Sequence, residues 1–366
     1  MKDRLYSLDV LRGLDMILLV VVGPMIKAAD GVWHFSPAFM GQFSHGWECF
    51  TLWDIIMPLF IFMCGAAIPF ALGRRLENGR AGVAFWRHVL VRFAMLWALG
   101  TVVQGNLLSL DLLKFKPYSN TLQAIAAGYL SAACVMLIRS KAAKIAAPIV
   151  FALLYTVMLA FGGDYTEHGN FAFKSDMAIL RLILPSGSVC LTNPSHYTWF
   201  STSLMFAAMT LAGYHATEIL RGGCDMRQKA VRLFVYGAAL EAVGWAVSPW
   251  IPVIKPIYTL SFTAQAMGYC VLALALLYVL TDILKLRRGL GVVVLFGQCA
   301  LVAYMVGGFF RPVLAKLAEI LLQGFPHAFG LGPKAMGFAS SCVVACELAL
   351  LLAAWRAQKA AQKDSR

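Results

Sequence analysis

Apolar residues gather into ten long runs along the chain, near 14–29, 51–73, 88–107, 118–138, 144–162, 198–220, 230–249, 257–284, 289–310 and 335–355. A helix that crosses a bilayer needs about 20 mostly apolar residues, so each run is predicted to span. The breaks between runs carry charges, Pro, Gly or Asn, which are residues that end helices. The fold class this pattern predicts is all-α, a polytopic integral membrane bundle of about ten transmembrane helices. Neither a short-period repeat nor a low-complexity tract interrupts it. The expected organisation is one transmembrane domain over residues 1–366, closing in a thin polar tail, "RAQKAAQKDSR", at 356–366.

Charge adds direction to this pattern. Charged residues make up 13% of the chain and hydrophobic ones 60%, whereas soluble domains carry about 25% charged residues. The net charge of +13 does not imply nucleic acid, because Lys and Arg are scattered through short loops rather than gathered in a stripe. With the N-terminus placed in the cytoplasm, 22 of the 31 Lys and Arg residues fall on the inner side. That asymmetry predicts both termini inside. Asp9, Arg12 and Asp15 break up the first apolar run, so it reads as a retained helix rather than a cleaved leader. The nine cysteines form no CxxC pair, which argues against zinc or iron–sulfur ligation, and no metal is expected. Cys49 and Cys190 both fall on the outer side and could pair.

The polar residues beside the apolar runs are the candidates for chemistry, since ionisable groups at a bilayer are costly and tend to mark sites. The stretch "FSHGWECFTLWDIIMPLFIFMCG", residues 43–65, places His45, Trp47, Glu48 and Asp54 at the outer end of the second run. A histidine titrates near pH ~6.5 and suits general base work. The bland alternative is a solvated loop imidazole. Asp54 could orient His45 as the third member of a triad does, or simply complement the helix N-terminus with Thr51 as cap. Asn120 and Gln123 in "YSNTLQAIAAGYL" share a helical face; their amides could hold a substrate carbonyl or glue helices together. Lys255, between Pro252 and Pro256, could bind an anionic or hydroxyl-rich acceptor or snorkel to the interface. Arg4, Arg12, Arg75 and Arg92 crowd the inner side, where they could meet phosphates or merely express the positive-inside bias.

Taken in order, "RLYSLDVLRGLDMILLVVV", "HGWECFTLWDIIMPLFIFMCGAAIPFAL", "YSNTLQAIAAGYL", "VSPWIPVIKPIYTLSF" and "FGQCALVAYMV" resemble the transmembrane acetyltransferases typified by heparan-α-glucosaminide N-acetyltransferase, and their bacterial NagX-type homologues in particular. The resemblance touches most of the chain. It implies transfer of an acetyl group from cytosolic acetyl-CoA to an amino sugar on the outer side of a bacterial inner membrane. His45 would be the catalytic base or transient acetyl carrier and Asp54 its partner. Trp47, Glu48, Asn120, Gln123 and Lys255 would face the acceptor, and Arg4, Arg12, Arg75 and Arg92 the nucleotide. A homodimer is what the family suggests. The chain departs from the family pattern at Gly23-Pro24 and at Cys299, where relatives carry asparagine. A transporter for N-acetylglucosamine or a related sugar is the rival expectation.

Overall fold

The computed structural model describes residues 5–73, 82–104, 106–192, 197–330 and 332–364. The helices, in chain order, begin with α1 (Tyr6–Ile17), α2 (Gly23–Trp33) and α3 (Pro37–Gly41). They continue with α4 (Ile56–Ala71), α5 (Val83–Val103), α6 (Thr121–Met136), α7 (Lys141–Gly162), α8 (Phe171–Ile183), α9 (Val189–Thr192), α10 (Ser203–Arg221), α11 (Met226–Val247) and α12 (Leu260–Leu277). The last are α13 (Gly291–Gln298), α14 (Ala300–Tyr304), α15 (Arg311–Leu321), α16 (Phe325–Phe329) and α17 (Pro333–Asp364). Among the described residues there is no strand, only an isolated antiparallel bridge between Glu48 and Ile254. The fold is all-α, and helix occupies most of each of the ten apolar runs.

Among the described residues six helical segments are long and apolar enough to cross a membrane: Leu52–Ala71, Val83–Val103, Lys141–Gly162, Met226–Val247, Leu260–Ile283 and Pro333–Gln362. Gly291–Gln298 and Ala300–Phe309 add a seventh if counted together, although they meet at 86°. The remaining three runs fall short for physical reasons. Thr121–Met136 is apolar but only 16 residues long. The first run lies in helix that carries Asp9, Arg12, Asp15, Lys27 and Asp30, and α10 ends in polar and charged residues. The polar tail is not a separate element, since α17 continues through it to Asp364.

The chain divides into two compact units, Met1–Ser44 with Leu277–Arg366, and His45–Leu276. In the first unit α1 and α2 are joined by a π-helical turn, Leu18–Val22. Such a turn disturbs the carbonyl ladder, and Arg311 donates from Nη1 to the Val20 carbonyl at 2.9 Å. The exposed donors at the start of α1 are satisfied from a distant segment: Asp282 accepts from the Tyr6 and Ser7 amides at 3.2 and 3.0 Å.

In the second unit α4 and α10 approach backbone to backbone. A Cβ on Gly65 would strike the Thr210 carbonyl, and one on Gly213 would strike the Phe62 carbonyl. Small residues at such crossings are how membrane helices pack without hydrophobic driving force between them. Gly213→Ala is therefore expected to cost about 1–3 kcal/mol by overpacking, read as a lower thermal midpoint in detergent micelles. The N-terminal end of this same α4 carries the residues considered next.

Candidate active site

Extended backbone from His45 to Thr51 leads into a short 3₁₀ turn, Leu52–Ile55, which opens α4. Thr51 and Asp54 form a reciprocal capping box there: the Thr51 amide and hydroxyl donate to Asp54 Oδ2 at 2.9 and 2.8 Å. The other carboxylate oxygen faces away from the cap. Asp54 Oδ1 lies 2.7 Å from His45 Nδ1 and 3.1 Å from Lys255 Nζ. Both readings of Asp54 hold at once, one oxygen to each.

A carboxylate oxygen this close to Nδ1 requires a proton between them, so Nδ1–H donates to Asp54 and Nε2 is the ring nitrogen left clear of the carboxylate. Lys255 Nζ, 3.2 Å from Nδ1, is then a neighbour of the imidazole and a donor to Asp54. Exposure separates the three groups. Asp54 is 1% and the Lys255 side chain 8% exposed, while the His45 side chain is 52% exposed. A buried ion pair thus holds a ring that is itself half exposed.

Lys255 departs most from the sequence expectation of an interfacial or substrate-facing lysine. Its segment folds back onto the loop of His45, with Ile254 bridged to Glu48. Two buried aromatic donors hold the carbonyls that follow it: Trp199 Nε1 reaches Pro256 at 2.8 Å and Tyr155 Oη reaches Ile257 at 2.7 Å. Tyr258 adopts φ +48°, a left-handed conformation rare for such a residue, and its hydroxyl donates to Met57 Sδ. Burial pushes the Lys255 ammonium down from the ordinary lysine range, and Asp54 partly restores it.

The other expected site residues are distributed differently. The Trp47 indole donates to the Tyr165 carbonyl at 2.9 Å, tying the His45 loop to the segment between α7 and α8, and Glu48 is exposed beside it. Asn120 and Gln123 form a second capping box at the start of α6: Asn120 Oδ1 accepts from the Leu122 amide, and Gln123 Oε1 from the Ser119 and Asn120 amides. Gln123 Nε2 donates to Pro117, and Asn120 Nδ2 to Gln104. Arg92 lies over the Tyr129 ring at 4.4 Å in the second unit, and Arg12 is half-buried on α1 in the first. Arg4 and Arg75 lie outside the described residues. Cys49 and Cys190 are both free thiols; Cys190 is buried with its sulfur on the Phe115 carbonyl.

Asp176 on α8 went unnoticed in the sequence. Its Oδ2 accepts from the Phe200 amide at 2.8 Å, anchoring the turn that carries Trp199, while buried Oδ1 has no hydrogen-bond partner. Burial pushes this carboxyl up to about 7. A carboxyl raised on folding binds its proton more tightly in the native state. Its contribution is therefore complete below the unfolded value near ~3.9 and lost as pH rises through about 7. The Asp176→Asn variant is expected to abolish a decline of about 4 kcal/mol across that window, measured as unfolding midpoint against pH.

The loop around His45, the loop around Tyr165 and the segment around Lys255 meet here. Comparison with family models and with curated proteins finds no match for this chain.

Proposed function

We propose that the protein is a membrane acetyltransferase that moves an acetyl group from cytosolic acetyl-CoA to the amine of an amino sugar on the outer side. The observation that carries this reading is the geometry at His45, a half-exposed imidazole held through Nδ1 by a buried carboxylate. That is the arrangement of a general base with its orienting group. The ordered resemblance of five segments to transmembrane acetyltransferases supports the same chemistry.

CoA is multiply charged and cannot cross about 30 Å of hydrocarbon. The nucleotide therefore stays at the basic inner mouth while the slender pantetheine arm reaches outward. His45 Nε2 removes the proton of the attacking amine, and Asp54 steadies the imidazolium that forms. The Lys255 ammonium, buried on the Nδ1 side, shares the Asp54 oxygen and so sets how strongly that carboxylate holds the ring. Asn120 and Gln123 are spent on the α6 cap and have a structural part. Purified protein given acetyl-CoA and glucosamine is expected to release free CoA in proportion to N-acetylglucosamine formed. No release above the protein-free control would refute the transferase.

A sugar transporter is the second reading, and one observation favours it. The 86° break between Gly291–Gln298 and Ala300–Phe309 is the kind of discontinuous helix that lines transport sites. Uptake of labelled N-acetylglucosamine into proteoliposomes without acetyl-CoA would decide for it.

A further inference from the structure

Trp199 is buried in the turn that leads into α10, and its neighbours hold it from several sides. The Thr202 hydroxyl accepts from its amide at 3.0 Å and donates to its carbonyl at 2.6 Å. The next amide, that of Phe200, is held by Asp176 of α8 at 2.8 Å. Phe173, also on α8, meets the indole edge to face at 6.0 Å. From this fixed position the single N–H of the indole reaches the Pro256 carbonyl at 2.8 Å. Proline fixes its own φ, so a grip on that carbonyl passes to Lys255, the residue before it, with little slack. Lys255 Nζ stands 3.1 Å from Asp54 Oδ1 and 3.2 Å from His45 Nδ1. An ammonium so placed draws on the carboxylate that holds the ring and repels an imidazolium.

We propose that Trp199 is a positioning residue for the pair of His45 and Asp54: its indole N–H, through Pro256, sets Lys255 against Asp54 and so sets the pH at which His45 can take up a proton. The proposal rests on the reading of His45 as a general base. The indole acts across the Lys255 segment, which has two further anchors. Tyr155 donates to the Ile257 carbonyl at 2.7 Å, and the Thr259 hydroxyl accepts from the Ile254 amide at 3.1 Å. Loss of the indole donor therefore loosens Lys255 while the segment stays in place. The titratable groups on the elements that meet the imidazole are Asp54 and Lys255 against Nδ1, Glu48 and Cys49 in its own loop, and Tyr165 on the segment that Trp47 reaches. Of these, Lys255 is the one borne by the segment that Trp199 grips. An ammonium that retreats by about 1 Å from contact distance changes the titration of its neighbour by about 0.5–1 pH unit.

The test uses the full chain in detergent micelles with isotope-labelled histidine, so that nuclear magnetic resonance follows the titration of His45. Trp199 is replaced by benzothienylalanine, an isostere of tryptophan with sulfur in place of the indole N–H, and separately in a Trp199→Phe variant. Both replacements are expected to raise the His45 midpoint by about 0.5–1 pH unit. The acid limb of glucosamine acetylation should move with it, with KM for glucosamine unchanged. In Lys255→Met protein the same replacements are expected to move neither. A His45 midpoint that stays in place in the isostere protein would overturn the proposal, whatever happens to the melting temperature. A shift of the same size in the Lys255→Met background would also overturn it, since Trp199 would then act by another route. The midpoint is read without turnover. Wild-type protein that transfers no acetyl group would therefore refute the transferase, while the titration still decides the part of Trp199.

Discussion

Replacing His45 by alanine is expected to cut acetyl transfer by about 10²–10⁴-fold, the range for a lost general acid or base. The unfolding midpoint should stay close to that of the wild type. The His45 side chain is 52% exposed, and substitutions at such positions usually change stability by within about 0.5 kcal/mol. Asp54 keeps its two Thr51 donors and Lys255 in the variant, so the cap and the ion pair survive. The measurement is CoA release with glucosamine, run beside a thermal melt of the same preparation. Partial recovery by added imidazole would show that the missing ring, rather than a displaced loop, is responsible. A folded His45→Ala protein with wild-type turnover would remove the histidine from the mechanism and with it the proposed function.

Different signals carried the fold and the site in the sequence. Composition and apolar runs disclosed an all-helical chain with long apolar helices, because twenty-residue hydrophobic stretches have few other uses. They could not disclose the 86° break at Cys299, since neither half carries the proline that would announce it. His45 and Asp54 were legible as a pair because both lie within one short segment. The position of Lys255 depends on a contact 210 residues distant in the chain. Pro252 and Pro256 hint only that its segment is extended. Asn120 and Gln123 carry a local signal of another kind. The spacing of Asn120 to Gln123 is the signature of a capping box just before an apolar run, and that local explanation outweighs any distant role. Asp176 gave no signal, because its amide partner at Phe200 comes from a turn that periodicity cannot place.

Asp54→Asn is expected to destabilise the protein by about 3–5 kcal/mol, and Lys255→Met by less. The asymmetry follows from what each substitution leaves behind. An asparagine at 54 takes away the charge that compensates the Lys255 ammonium, whose side chain is 8% exposed, and weakens the acceptor that the Thr51 amide and hydroxyl share. Methionine at 255 leaves Asp54 with Thr51 and His45, so the carboxylate remains satisfied. It also removes a burdened cation. Because burial lowers the Lys255 ammonium relative to the unfolded chain, the native state holds that proton less tightly. The penalty is present at neutral pH and relieved as pH rises toward the unfolded value near ~10.4. The double variant should therefore cost less than Asp54→Asn alone, since no unpaired ammonium remains, and a double-mutant cycle on unfolding midpoints reads the difference. Catalysis should respond in the opposite sense. With Lys255 gone, the whole Asp54 charge acts on the imidazole, so the acid limb of the rate profile should move to higher pH in Lys255→Met. An acid limb that stays in place would mean that the lysine does not modulate His45 through their shared carboxylate oxygen.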